Sequence, residues 1–197
     1  MSLLSIFGAA GAAFAVVSLV PYLVSILSGR TKPHIFTWIL WTLLTWITWA
    51  IQYADGAGAG AWATLVTAIL SIVIVALSFK NGHKDITRGD WISFIVGLLS
   101  IPLWILTKDP TLSAVLVTFI DIVAFFPTLR KAWHFPREEL AFLYVISMIK
   151  HGFSLLALSN ITVATTAFNV GVGLFNIVGL VVILGRCYVL FKNFKNK

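Results

Sequence analysis

Charge is what this sequence has least of. Only 11% of its 197 residues are charged, seven acidic and fourteen basic, whereas a soluble domain carries about 25%. No polar interval is long enough for a soluble domain, and runs of roughly 20 apolar residues recur along the whole chain. The mean hydropathy is +0.98. Because these runs are continuous and do not alternate, they predict an all-α membrane protein.

Other absences exclude whole classes of function. The single cysteine, Cys187, excludes a disulfide within the chain. There is no zinc-type cluster of histidine and cysteine, no phosphate-binding loop and no serine-nucleophile motif. The sequence therefore predicts no metal, no cofactor, no catalytic residue and no enzyme. The net charge of +7 lies in short loops between apolar runs, which argues against nucleic acid as a partner.

Seven membrane spans are predicted from the apolar runs. They cover residues 4–28, 35–53, 61–79, 91–107, 111–129, 140–158 and 165–186. Asp90 is predicted to cap the fourth span, and Asp109 followed by Pro110 is predicted to cap the fifth.

Basic residues sort to one side of these spans. Twelve lie in loops after spans one, three, five and seven: Arg30, Lys32, Lys80, Lys84, Arg88, Arg130, Lys131, Arg137, Arg186, Lys192, Lys195 and Lys197. Lys108 alone lies on the other side. The positive-inside rule then predicts an external N-terminus and a cytoplasmic C-terminus. The expected location is the plasma (inner) membrane.

An internal repeat relates the two halves of the chain. A shift of about 106 residues places Pro21 on Pro127 and maps spans one to three onto spans five to seven without a gap. The predicted fold is therefore two parallel three-helix bundles joined by a linker helix (3+1+3). The predicted units are a first bundle at 1–82, a linker helix at 83–109, a second bundle at 110–190 and a basic cytoplasmic tail at 191–197.

Two short motifs accompany this repeat. "Pro21-Tyr22-Leu23" and "Pro127-Thr128-Leu129" each lie near the end of a first helix and precede a basic loop. In this the chain resembles the PQ-loop superfamily, which includes the SWEET (MtN3/saliva) sugar transporters. The resemblance implies alternating-access transport of a small polar solute, sugar-like or vitamin-like. It also implies contact between substrate and an asparagine of a third helix, Asn169 or Asn176. A non-transporting receptor or sorting protein of the same superfamily is the alternative.

Polar faces within the spans suggest where a solute would pass. One arc of span two consists of Trp38, Trp41, Thr42, Thr45, Trp49 and Gln52. We interpret this arc as the lining of a pathway. The alternative is that Trp38 and Trp49 are interfacial belt residues and that Trp41 only packs. Span three has Thr64, Thr67 and Ser71 at helical spacing. The two span-seven amides, Asn169 and Asn176, either bind substrate or bond to a neighbouring helix.

Two charges lie well inside the spans. Asp121 is about 13 Å from Arg130 along its helix, and Lys150 is about 16 Å from Glu139. At this matching depth they are predicted to form an intramembrane ion pair. Its role could be structural, proton-coupling or substrate-anchoring. Pro21 and Pro127 are predicted hinges, since proline removes a helical hydrogen bond. The expected partners are the bilayer and a small-molecule substrate, and homo-oligomerisation is left open.

Overall fold

The computed structural model describes residues 2–106 and 109–195, except for the side chains of residues 99–101 and 103–105. Within this part of the chain all regular structure is helical. The α-helices are α1 (Leu3–Leu27), α2 (Ile35–Ala54), α3 (Trp62–Asn81), α4 (Arg88–Leu106), α5 (Pro110–His134), α6 (Ala141–Leu156) and α7 (Val163–Lys195). Two short 3-10 helices, Gly58–Ala61 and Pro136–Glu138, precede α3 and α6. Lys108 and Lys197, both used to predict orientation, lie outside the described residues.

Five helical segments are long and apolar enough to cross a membrane: Leu3–Leu27, Ile35–Ala54, Gly58–Asn81, Pro110–His134 and Val163–Lys195. This agrees with an integral membrane protein. Of the seven predicted spans, the fourth and sixth, now α4 and α6, are not among the five. The sixteen residues of α6 cover about 24 Å along the helix axis, which is less than the hydrocarbon thickness of about 30 Å.

Helix starts follow from local capping. The carboxylate of Asp109 accepts hydrogen bonds from the amides of Thr111 at 2.7 Å and Leu112 at 3.2 Å, which confirms the predicted cap of α5. The predicted cap at Asp90 is wrong by one turn. Thr87 is the residue before α4, and it exchanges hydrogen bonds with Asp90, which lies three residues further on. This reciprocal arrangement satisfies two amides that the start of α4 would otherwise leave free.

The helices pack in two related sets. In the first set α3 contacts both α1 and α2, and in the second α7 contacts both α5 and α6. Between the sets, α1 packs against α6 and α2 packs against α5. α4 lies against α5 and, to a smaller extent, against α2. Each first helix of one set therefore meets the second helix of the other.

α2 has protein on two sides, although Leu43 and Tyr53 are exposed. Leu40, Leu44 and Ile51 are apolar and lie opposite its tryptophan arc, and they are also buried. They pack against residues of α5 such as Val117 and Ile120. α2 thus lies between α3 on one side and α5 on the other.

Small residues allow the closest helix contacts. A Cβ atom added to Gly8 of α1 would lie 2.6 Å from the carbonyl oxygen of Ala59. A Cβ at Gly179 of α7 would lie 2.7 Å from the ring of Tyr144 and 2.8 Å from the ring of Phe125. Only glycine permits these approaches, as expected where membrane helices pack through small residues.

Candidate functional site

A small cavity lies between the helices, at mid-length of the molecule. Its volume is about 80 Å³. α1, α2, α3, α5, α6 and α7 all contribute to its lining, but among the described side chains α4 contributes none. Thr45 and Asp121, which both line it, lie near the middle of α2 and α5. Its polar lining consists of Ser18, Thr45, Thr67, Ser71, Asp121, Ser147, Lys150, His151 and Asn176.

α2 supplies one wall of the cavity. Trp38, Trp41 and Thr45 all line it, so three of the six α2 residues of the predicted arc reach the same space. The ring of Trp41 stacks on Phe125 with 5.3 Å between centroids, and its indole N–H donates to the carbonyl oxygen of Asp121 at 3.3 Å. The Thr45 hydroxyl donates to the Trp41 carbonyl oxygen. The stacking on Phe125 and the hydrogen bond to Asp121 hold the Trp41 ring in place.

Trp49 lies elsewhere. It packs beside the cluster of Ala57, Ala61 and Leu158, and its ring contacts Tyr53 at 5.7 Å between centroids. It does not line the cavity. Trp49 lies about two helical turns beyond Trp41 on α2, so it is past the cavity and packs near Leu158, in the segment after α6.

Asp121 and Lys150 face the cavity from opposite helices, α5 and α6. Their relative exposures are 5% and 6%, so both charges are almost completely enclosed. They form no direct ion pair, contrary to the prediction. The ammonium of Lys150 instead donates to the hydroxyl of Thr67 at 3.2 Å. Among the described residues, the carboxylate of Asp121 has no hydrogen-bond donor. The cavity therefore separates two opposite charges.

The asparagines of α7 take different positions. Asn176 lines the cavity, and its amide donates to the carbonyl oxygen of Val172 at 2.8 Å. Asn169 is 1% exposed and lies behind the lining, where its side-chain oxygen is 2.9 Å from Nδ1 of His151. This contact is consistent with an Nδ1–H donor on His151. Asn169 therefore orients a lining histidine without lining the cavity itself.

Polar contacts join the segments at one end of the molecule, here called the basic end (residues 28–34, 82–87 and 135–140). The amide of Lys32 donates to the carbonyl oxygen of Glu138 at 3.2 Å, and the Lys32 ammonium contacts the Glu138 carboxylate at 2.5 Å. His83 lies 2.9 Å from the same carboxylate. Burial raises the pKa of Glu138, but the hydrogen bonds from Lys32 and His83 outweigh it, so that the pKa lies below its usual value.

A layer of buried polar contacts lies between the segments of the basic end and the cavity. Lys131, fully buried, pairs with Glu139, and the hydroxyl of Tyr144 donates to Glu139 at 3.3 Å. The indole of Trp38 donates to the hydroxyl of Tyr22 at 3.2 Å. Since Trp38 also lines the cavity, this layer forms its floor on the basic side.

The opposite end (residues 55–61 and 157–162) is joined in a similar way. The side-chain amide of Asn160 donates to the carbonyl oxygen of Asp55 at 2.9 Å, and the hydroxyl of Thr162 donates to the Asp55 carboxylate. The amide of Ser159 donates to the carbonyl oxygen of Ala57 at 3.1 Å. Both ends of the molecule are therefore connected by hydrogen bonds between its two halves.

Pro21 and Pro127, the predicted hinges, lie inside α1 and α5. Pro21 is six residues before the end of its helix and Pro127 is seven residues before the end of its own. Both helices continue past the proline, α5 to His134 and not to residue 129 as predicted. Neither proline lines the cavity.

Phenylalanines are among the lining residues that the sequence did not single out. Phe125, Phe168 and Phe175 line the cavity, and the Phe168 ring contacts His151 at 5.8 Å between centroids. The chain has fifteen phenylalanines, most of them in apolar runs, so nothing in the sequence distinguishes these three. Ser18 and Ser147 were detectable, because each is a polar residue in an apolar run.

Comparison of the chain with protein-family models, with curated proteins and with solved structures finds no match in any of the three. The fold and the site together define an all-helical protein with several membrane-length helices around a polar cavity.

Proposed function

We propose that the protein is a membrane transporter that carries a small polar solute by alternating access. The observation that carries this proposal is the central cavity, which holds buried polar and charged side chains at mid-length of membrane-length helices. Polar groups at such depth are costly and mark solute pathways. A cavity needed only for packing would be apolar, as in the core between α2 and α5.

Helix packing supports a 3+1+3 architecture. In each set the third helix lies between the first and the second. The contact between α1 and α6 is equivalent to the contact between α5 and α2, because in both a first helix of one set meets the second helix of the other. Lys32 and Glu138, 106 residues apart, touch each other. Equivalent residues meet where a pseudo-two-fold axis passes, so this contact supports a repeat axis along the helix bundle.

Alternating access would use the two connected ends as gates. Opening the basic end requires breaking the contacts of Lys32 and His83 with Glu138, while opening the opposite end requires releasing Asp55 from Asn160 and Thr162. Pro21 and Pro127 occupy equivalent places in the two first helices, where a missing backbone hydrogen bond makes bending easier. The two bundles would rock about the cavity.

The membrane orientation of this proposal follows the positive-inside rule. Lys32, Lys80, Lys84 and Arg130 lie at or near the basic end, which would face the cytoplasm of a cell with the protein in its inner membrane. The N-terminus would then be external.

Uptake into liposomes tests the proposal. Purified protein is reconstituted and supplied with a mixture of sugars, amino acids and vitamins, and the trapped solutes are identified by mass spectrometry. We expect at least one small polar solute to accumulate above the level in protein-free liposomes. Trp41→Ala, which removes a lining ring, should reduce the uptake, whereas Trp62→Ala, which removes an exposed ring outside the cavity, should not.

Failure of every solute class to accumulate would contradict the transporter. Binding of a solute without uptake would instead favour a receptor or sorting protein of the same architecture.

A further inference from the structure

Two opposite charges face the central cavity without touching each other. Asp121 projects from α5 and Lys150 from α6, and each is more than nine-tenths buried. An isolated buried charge is strongly disfavoured unless a partner group compensates it. A direct ion pair would have been the simplest compensation, and these two side chains do not form one.

The Lys150 ammonium and the Asp121 carboxylate can each form further hydrogen bonds. An ammonium has three N–H donors, and Lys150 directs one of them at Thr67. The Asp121 carboxylate can accept up to about four hydrogen bonds but has no donor among the described residues. The cavity therefore presents one free acceptor group and one partly free donor group to whatever fills it.

The two charges are not part of the repeated scaffold. At the equivalent positions of the other bundle, 106 residues earlier, stand Ala15 and Leu44. Both are fully buried and apolar. The fold therefore accommodates apolar side chains at these positions, which argues that Asp121 and Lys150 serve the cavity and not the packing of the helices.

The volume of the cavity limits the size of its occupant. A water molecule, with one non-hydrogen atom, needs roughly 10–15 Å³ of space, so a cavity of about 80 Å³ suits a solute of roughly five to eight non-hydrogen atoms. Glycine, alanine, serine and proline fall in this range. A hexose is larger and would require the cavity to widen.

We propose that the cavity binds a small zwitterion of the amino-acid type, with its ammonium at Asp121 and its carboxylate at Lys150. The rings of Trp41 and Phe125 lie on the Asp121 side, where aromatic faces favour a cation. On the Lys150 side the hydroxyl of Ser147, one turn away on α6, is a second donor for a carboxylate. This assignment names the substrate class of the proposed transporter and rests on that proposal.

Binding to the purified full-length protein tests the assignment without requiring transport. Alanine is titrated by calorimetry, and ethylamine and propionate, which each lack one of its charged groups, are titrated in parallel. We expect alanine to bind about tenfold or more tightly than either fragment. Glycerol, a neutral solute of similar size, should not compete with alanine.

Charge-neutralising variants test the roles of the two residues. Asp121→Asn and Lys150→Gln should each weaken alanine binding by about tenfold or more. The matched controls Asp109→Asn, at the exposed start of α5, and Lys80→Gln, at the exposed end of α3, should leave binding unchanged. If a single variant fails to fold, the double variant Asp121→Asn/Lys150→Gln, which leaves no unpaired charge, takes its place.

Three results would overturn the assignment: no binding of glycine, alanine, serine or proline, equal binding of alanine and its one-charge fragments, or unchanged alanine binding in the double variant. The transporter proposal fails separately. Zwitterion binding without uptake into liposomes would contradict the transporter proposal but support the zwitterion site. Uptake of a neutral solute that alanine does not inhibit would contradict the zwitterion site but support transport.

Discussion

The ammonium group of Lys131 is buried at a position where the sequence suggests a surface residue. A basic residue directly after an apolar run is normally a topology signal in a loop. Here α5 continues to His134, and Lys131 turns inward to the carboxylate of Glu139 and the carbonyl oxygen of Lys32. A basic residue after an apolar run gives the same sequence pattern whether its side chain is exposed or buried, because the pattern does not show where the partner of the charge lies.

Breaking this pair should be costly. Lys131→Met or Glu139→Leu leaves one buried charge uncompensated, and each should lower the free energy of unfolding by about 3–5 kcal/mol. The double variant should lose clearly less than the sum of the two, because no unpaired charge remains. Denaturation of the four proteins in detergent measures this coupling, and strictly additive losses would contradict it.

His34 gives the basic end a dependence on pH. Burial lowers the pKa of His34 to about 4, and Lys131 adds to the effect while the carboxylate of Asp90, 3.5 Å away, opposes it. The ring is therefore neutral near pH 7. The relative exposure of this side chain is 1%, because Asp90 and the segments around it enclose the start of α2.

Stability should fall as the pH drops from about 6.5 to about 4, since an unfolded histidine binds a proton in this window and folded His34 does not. At low pH, the loss of unfolding free energy caused by His34 approaches about 3 kcal/mol. His34→Leu should flatten the slope of unfolding free energy against pH in this window. Exposed His134→Gln is the control and should retain the wild-type slope. Equal slopes for wild type and His34→Leu would be inconsistent with a buried neutral ring.

At the scale of the element, each of the seven α-helices overlaps one predicted span, and their ends agree to within five residues except at α7, which continues nine residues past the predicted end. Hydrophobic runs suffice for this because a chain in a bilayer must satisfy its backbone hydrogen bonds within each helix. Packing partners are harder to infer. Leu40 and Leu44 are equally suitable for lipid and for α5, because both surroundings are apolar, so the sequence alone cannot show that these two residues face protein.

The same reasoning explains which site residues could be predicted from the sequence. Trp38, Trp41, Thr45, Asp121, Lys150 and Asn176 line one cavity, and each stands out as a polar or amphipathic residue within an apolar span. Trp49 shares their spacing along α2 but lies beyond the cavity, since helical periodicity defines a face and not a depth. The separation of Asp121 from Lys150 depends on side-chain direction across two helices, and matching depth does not determine it.

Close contact between α1 and the 3-10 helix before α3 should depend on Gly8. The methyl group in Gly8→Ala would meet backbone of Ala59 at 2.6 Å, and backbone cannot move aside as a side-chain tip can. We expect a loss of about 1–3 kcal/mol in unfolding free energy. Gly152→Ala is the matched control, because a Cβ there meets nothing within 4 Å. It should be neutral or stabilising by up to about 1 kcal/mol. Similar losses in both variants would refute this account.

At the scale of the whole molecule, the two halves are connected at both ends while the cavity between them holds polar groups. If the protein carries a solute, we predict that one of these ends opens to admit it. The basic end offers a direct way to test this, because the amide of Lys32 bonds to the carbonyl oxygen of Glu138 at 3.2 Å. Bond geometry then places the two Cα atoms at most about 7 Å apart, at the limit for a disulfide.

A covalent link at this point should stop transport reversibly. In a Cys187→Ser background, Lys32→Cys/Glu138→Cys should form an intramolecular disulfide on mild oxidation, and solute uptake into liposomes should fall to the level of protein-free vesicles. Reduction should restore it. Each single-cysteine variant, treated identically, should keep its activity, which separates the link from loss of the Lys32–Glu138 contact itself. Undiminished uptake through the fully cross-linked protein would mean that the basic end does not open during transport, because a covalent link between residues 32 and 138 holds the two sides of that end together.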